Sequence, residues 1–240
     1  MSTLLLRLAG PLQAWGTDSH FNTRQTGNAP SKSGVIGLLA AALGLRRDAD
    51  LAPLRALRFG VRTDQEGDLL RDFHTVHMQK RDAPEVTYRY YLSDAVFLVG
   101  LQSEDESFLR ELADALHTPA WPLYLGRCSC PPTQPVVLGI RDLTLDDALA
   151  QEPWQAADWK KADWARKRAG ELPELPVLVD ADGSGYGRAV APDDPISFDQ
   201  RDRRFGFRMV EGKKPVTPPD CLAAPGVPTE HDAFAEVEGS

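Results

Sequence analysis

An α+β fold is predicted by three observations along the first half of the chain. Short β-rich runs alternate with helical stretches, each run is bounded by Gly, Pro or polar turns, and one pair of runs has hairpin spacing. The 240 residues, 42% of them hydrophobic, suffice for one large domain or two small ones with a real core. Residues 3–9 (TLLLRLA) are an apolar run closed by Gly10-Pro11, which suits a buried strand. Residues 13–29 are polar and rich in Thr and Asn, a long loop that feeds a helix over about 33–43. That helix, VIGLLAAALG, is apolar and stops at Gly44. LRFGVRT (57–63) alternates and reads as a strand. Residues 70–79 and VTYRYYL (86–92) are β-rich runs joined by KRDAPE, hence a long hairpin. AVFLVGL (95–101) is a buried strand, and DESFLRELADALH (105–117) an amphipathic helix with acids in its first turn.

The order β-α-β-hairpin-β-α is similar to a ferredoxin-like, RNA-recognition-type domain, a topology that hosts many functions. This domain is expected to cover 1–145. A C-terminal extension over 146–214 follows, with a strand at 136–140 leading into it, a helical segment from about Leu145, and a hairpin in ISFDQRDRRFGFRM (196–209). Residues 215–240 are Pro- and acid-rich and are expected to be disordered.

The net charge of −8 argues against a uniformly basic nucleic-acid coat, but the charge is unevenly spread. Up to Arg47, the cations Arg7, Arg24, Lys32, Arg46 and Arg47 stand against Asp18 alone. From Pro215 onward there is no Lys or Arg, while Asp220, Glu230, Asp232, Glu236 and Glu238 supply acidity. A basic body with an acidic tail is compatible with a local anion site. Three cysteines, Cys128, Cys130 and Cys221, make a secreted disulfide framework improbable. The start MSTLLLRLAG is too short and too interrupted for a signal peptide, and no segment approaches a membrane span. A soluble, cytoplasmic protein without a membrane partner is expected.

Several motifs fail on their chemistry. Lys32 and Ser33 could occupy the last slots of a phosphate-binding loop, but its two glycine slots fall on Thr26 and Ser31. What survives is a helix start with capping hydroxyls and a free positive end, able to hold a phosphate. VDADGSGYGRAVA places Asp180, Asp182, Ser184 and Gly185 like a calcium loop, but the bidentate acid it needs is Ala191, so a surface turn is expected. His74 and His77 fall on opposite faces of a strand, and Cys128 and Cys130 are an incomplete pair. No metal site, no cofactor and no catalytic residue are assigned. Trp154, Trp159 and Trp164 recur every five residues, a spacing that does not share one helix face, and are expected to pack; the neighbouring Lys and Arg clusters are a weaker nucleic-acid signal.

The remaining pattern is Arg, Lys, Gln, Trp and Tyr beside Gly. Gln13, Trp15, Arg24 and Lys32 surround the first loop; His74, Tyr88, Arg89, Tyr90 and Tyr91 lie on the hairpin; Arg127 follows Gly126. Cations for phosphates, aromatics for splayed bases and amides for base edges are how single-stranded RNA is held. The same tyrosines could pack in the core and the same arginines be solvated.

LRLAGPLQAWG, TRQTGNAPSKSGVIGLLAAALG, RDFHTV, YLSDA and YLGRCSCPPTQPVVLG, in this order over about 4–139, resemble CRISPR-associated protein family five. The likeness is to its type I-E branch, the CasD group of the repeat-associated mysterious protein superfamily. It implies an RNA-recognition-type domain with a protruding hairpin thumb, here about 71–93. It also implies a non-catalytic component that caps the 5′ handle of the CRISPR RNA in a Cascade complex. The implied partners are CRISPR RNA, a backbone subunit and a large subunit, with target DNA met indirectly through the complex. Carried over by motif, the RNA-binding candidates are Gln13, Trp15, Arg24, Thr26, Lys32, Ser33, His74, Arg89 and Arg127, with Gly34 and Gly37 allowing close approach. The corresponding protein of a related subtype cuts precursor RNA without metal, so a metal-independent endoribonuclease is the alternative, with Tyr, Lys32 or His74 as its acid–base groups. A purely protein-binding scaffold is a third.

Overall fold

The computed structural model describes residues 1–16, 19–20, 23–76, 85–168 and 170–222. Strand β1 (Ser2–Ala9) is buried along both faces except at Arg7, as a central strand should be. Short strands β2 (Leu12–Gln13), β3 (Ser19–His20) and β4 (Thr23–Arg24) break up the loop expected after it. Helix α1 (Lys32–Ala42) begins where the Ser31 hydroxyl accepts the Gly34 amide at 3.2 Å. A turn of helix, α2 (Ala52–Arg55), precedes β5 (Arg58–Gln65). Strands β6 (Asp68–Val76) and β7 (Glu85–Ser93) pair antiparallel from Asp68 opposite Ser93 to Val76 opposite Glu85. The connection at 77–84, with His77 in it, lies outside the described residues.

Strand β8 (Val96–Ser103) is followed by α3 (Glu106–His117), capped by Asp105 and turned inward through Leu109, Leu112 and Leu116. Strand β9 (Val137–Arg141), helices α4 (Leu145–Gln151) and α5 (Asp158–Lys167), and strand β10 (Leu175–Asp180) come next. The C-terminal hairpin is longer than the sequence indicates: β11 (Tyr186–Ser197) and β12 (Arg204–Val216). Ordered structure also continues past Pro215, since β12 ends at Val216 and a last helical turn, α6, spans Pro219–Leu222. Residues 223–240 lie outside the description.

The architecture is mixed α/β and dominated by antiparallel sheet. Seven strands run in the order β11-β12-β10-β5-β8-β1-β9, so the C-terminal strands extend the same sheet from its β5 side. A second sheet has β2-β7-β4-β3, with β6 on β7. Leu4, Leu6 and Leu8 of β1 pack with α1 and α3 on one face of the large sheet, and Leu5, one residue out of phase, faces α4 on the other. Gly60 and Gly100 lie opposite each other on β5 and β8 and leave a flat seat for α4. A Cβ on Gly100 would stand 2.5 Å from Leu145, and one on Gly60 3.0 Å from Leu149. Each of these buried leucines contributes roughly 1.5–3 kcal/mol. The face is thereby occluded where α4 docks, over Leu5, Gly60 and Gly100.

Beside α4, Arg62 and Asp64 form a fully buried two-toothed pair at 2.7 Å, and the same guanidinium takes the carbonyls of Leu149, Glu152 and Pro153. Burial pushes the Asp64 carboxyl up, against the pull of Arg62 and the Gln155 amide. The Trp154 indole donates to the Asp64 carbonyl at 2.7 Å and meets Trp164 edge-on at 6.1 Å, whereas Trp159 is 59% exposed. Trp154 precedes α5, so the five-residue spacing was never one helix. No helix among the described residues is long and apolar enough to cross a membrane.

Candidate nucleic-acid interface

The GPLQAWG stretch folds inward. Gln13 is fully buried: its amide donates to the carbonyls of Leu8 (3.1 Å) and Ala95 (2.7 Å), and its oxygen accepts the Trp15 indole N–H (3.0 Å). Trp15 is 1% exposed, and its backbone amide donates to the Thr26 hydroxyl at 2.9 Å. Gln13 and Trp15 therefore hold the loop in place and present no atom for an outside base to meet. Gly34 admits that indole, because a Cβ there would lie 2.8 Å from the ring, and Gly37 faces the ring of Phe198. The close approach expected of backbone or RNA at these glycines is made by protein rings.

The start of α1 is likewise taken. The Lys32 amide donates to the Asp193 carboxylate at 2.7 Å, and its ammonium pairs with Asp180 at 3.1 Å. Arg208 bridges the same two acids at 2.7 Å each. A helix start does hold an anion, as the sequence indicates, but the anion is an internal carboxylate from β11. The Lys32 amide and ammonium that a phosphate would need there are both already engaged. Ser33 is half-buried, with its hydroxyl 3.4 Å from that of Ser31. The turn after Asp180 is a surface turn whose first acid is in this network and not in a metal site.

Three arginines do come together. Parallel pairing of β4 with β7 sets Arg24 opposite Arg89. Arg127 donates to the Arg24 carbonyl at 3.0 Å and lays its guanidinium 4.7 Å from the centre of the Tyr91 ring. Gly126 makes this possible: it has φ +84°, and a Cβ there would overlap the Ala14 carbonyl. Arg89 Nε and one terminal nitrogen of Arg127 are buried without a hydrogen-bond partner. Among the described residues no carboxylate pairs with any of the three. Asp72, the cross-strand neighbour of Arg89, is engaged by His74 at 2.9 Å and by the Phe73 amide. Like charges with unspent donors are costly unless an anion completes them.

His74 is exposed on β6, held by Asp72. Cys128 is exposed, while burial pushes the Cys130 thiol up and away from reactivity. Among the described residues no group of three or more His, Cys, Asp or Glu side chains could hold a metal ion. Sequence reasoning missed Asp193; it named Tyr91 among the stacking aromatics, but not that the ring would carry Arg127.

The model of the family described as CRISPR-associated protein (Cas_Cas5) matches residues 3–211. The chain is 42% identical over 159 residues to the CRISPR system Cascade subunit CasD of Escherichia coli (strain K12), covering 58% of this chain and 70% of that one. A solved structure described as "Crystal structure of Cas protein" is 40% identical, with TM-score 0.68 over 90% of this chain and 95% of its own. A chain of a "CRISPR RNA-guided surveillance complex" is 33% identical, with TM-score 0.74 over 93% and 94%.

Proposed function

The chain belongs to the CRISPR-associated protein (Cas_Cas5) family, and on that premise we propose that it is the non-catalytic RNA-binding subunit of a type I-E Cascade surveillance complex. In this reading it works in the cytoplasm, in antiviral defence, and caps the 5′ handle of the CRISPR RNA. It contacts the backbone and large subunits and meets target DNA only through the complex. The relatives support the complex: one is a Cascade subunit and another a chain of an RNA-guided surveillance complex. The strand order β9-β1-β8-β5, with α1 and α3 on one face, supports a ferredoxin-like, RNA-recognition-type domain. Strands β6 and β7, with Leu69 and Phe73 more than 60% exposed, are the proposed thumb.

The observation that carries RNA binding is the juxtaposition of Arg24, Arg89 and Arg127, with no carboxylate paired to them among the described residues and with donors left over. Thr26, Ser33 and His74 are kept as flanking candidates, while Gln13, Trp15 and Lys32 support the loop from within. The endoribonuclease alternative would need acid–base groups that are free to act. The Lys32 ammonium is held by Asp180, which leaves the exposed His74, paired with Asp72, without Lys32 as its partner, so binding is the better supported reading.

The test is single-stranded repeat RNA titrated over a salt series. Each phosphate neutralised contributes about 0.7 to the slope of log affinity against log salt. Alanine at Arg24, Arg89 or Arg127 should each remove about that much, equally for all sequences. A wild-type affinity indifferent to salt overturns the assignment.

A further inference from the structure

A cavity of about 470 Å³ opens between the start of α5 and the segment before β9, lined in part by Arg7, Gln134, Trp154, Gln155, Asp158 and Lys161. None of these residues belongs to the interface described above. Arg7 is the one residue of β1 that is not fully buried, and it shares a strand face with Leu5. Its Nε is buried with no hydrogen-bond partner, and among the described residues no carboxylate pairs with it. The neighbouring helix adds to the need for an anion: Ala157, just before α5, gives no side-chain cap. With its own amide donated to Gln65 and that of Lys160 to the Ala157 carbonyl, the amides of Asp158 and Trp159 are left at the positive end of the dipole. Lys161 lies 3.8 Å from Asp220 and 5.9 Å from the centre of the Trp154 ring. Asp158, the one acid of the lining, is exposed.

We propose that this cavity is a second oxyanion subsite, with Arg7 as its central donor, that takes a backbone phosphate of the same RNA. The proposal rests on the RNA-binding reading above. A nucleic-acid phosphate is favoured because a single loop links the two sites. Arg127 joins the arginine cluster; Thr133, further along, is pinned by its amide to the Ala9 carbonyl at 3.1 Å; Gln134 lines the cavity. Seven residues of chain span at most roughly 25 Å, so a short single strand can touch both.

The experiment uses the full chain in two arms. In the first, wild type, Arg7→Gln, Arg7→Lys and Arg127→Ala are titrated with a fluorescent single-stranded RNA over a salt series. Arg7→Gln should lose about tenfold in affinity and about 0.7 of slope, and Arg7→Lys should recover the slope. If Arg7→Gln matches wild type while Arg127→Ala weakens, the cavity is not an RNA subsite. In the second arm, thermal melting is compared in sulfate and in chloride at equal ionic strength. Sulfate should stabilise wild type more than Arg7→Gln; equal responses overturn the oxyanion site. If no variant binds RNA, the function proposed above fails, and this second arm still decides the cavity. Stabilisation by a polyglutamate peptide but not by RNA would overturn the assignment to nucleic acid.

Discussion

The backbone amide of Lys32 donates to the carboxylate of Asp193, 161 positions later, at 2.7 Å. The start of α1 is thus closed by the C-terminal hairpin, with Asp180 and Arg208 completing a partly buried ring of charge. The apolar helix α1 and the last two strands are consequently held as one unit. The small C-terminal extension is a clamp on the α1 terminus as well as an addition to the sheet.

Removing one partner of this ring should destabilise the protein more than it affects RNA. Asp193→Ala leaves Arg208 without the acid it holds through two nitrogens and the Lys32 amide without an acceptor, a loss of about 3 kcal/mol. Lys32→Ala should cost less, on the order of 1 kcal/mol, because Arg208 still spans both carboxylates. Denaturant midpoints measure both changes. The RNA salt slope of Lys32→Ala should match that of wild type, and a flattened slope would return Lys32 to the RNA-binding set.

Acid sensitivity should follow from Asp194, next to this ring. Arg55 donates to it through two nitrogens, at 3.1 and 2.5 Å. That hydrogen bonding holds the Asp194 carboxyl below its ordinary value. A carboxyl depressed in the folded state stabilises the fold above the unfolded value of about 3.9 and loses that contribution as pH falls through the lower folded value. Urea midpoints measured from neutral pH down through this range should fall on acidification. Asp194→Asn should be less stable than wild type at pH 7 and show a shallower acid decline. An equally steep decline in the variant would assign the acid sensitivity to other carboxylates.

The strands were legible because their apolar runs are local, as TLLLRLA and AVFLVGL show. Helix α3 was legible from its leucine spacing and acidic first turn. Gln13 and Trp15 were misjudged for a physical reason. A polar residue beside a loop reads as exposed until the carbonyls of Leu8 and Ala95, left over at strand ends, are seen to need its amide. The α1 terminus was read as a free end for a phosphate, but a carboxylate from a residue far off in sequence takes its Lys32 amide, which no local pattern announces. Arg24, Arg89 and Arg127 were each visible as candidates. Their meeting depends on a parallel strand pair and on the positive φ of Gly126, and neither has a sequence signature strong enough to predict it.

The hairpin of β6 and β7 should be separable from stability. Phe73 is 66% exposed on it, and a large apolar side chain left in water there contributes little to the isolated fold. Phe73→Ser should change the melting stability by no more than about 0.5 kcal/mol. In co-expression with the other subunits, the same variant should enter the complex less efficiently. If the variant unfolds, or assembles as wild type does, the hairpin is not an assembly element.

The last prediction concerns chemistry: repeat RNA should stay intact when incubated with the chain in EDTA. A metal-independent ribonuclease must move a proton from the attacking 2′-hydroxyl and stabilise charge on the scissile phosphate. The Lys32 ammonium is buried and committed to Asp180, so it is not offered to a phosphate. His74 is exposed and hydrogen-bonded to Asp72, a pairing that could in principle poise it as a base, so it is the residue to test. Removing a true general base should slow cleavage on the order of 100-fold or more. Wild type, His74→Ala and Lys32→Ala are therefore compared on the same RNA, with binding and cutting read from one gel. Bound, uncut RNA with wild type is the expected result. Cleavage that disappears in His74→Ala would make the chain an endoribonuclease and the arginine cluster its substrate clamp.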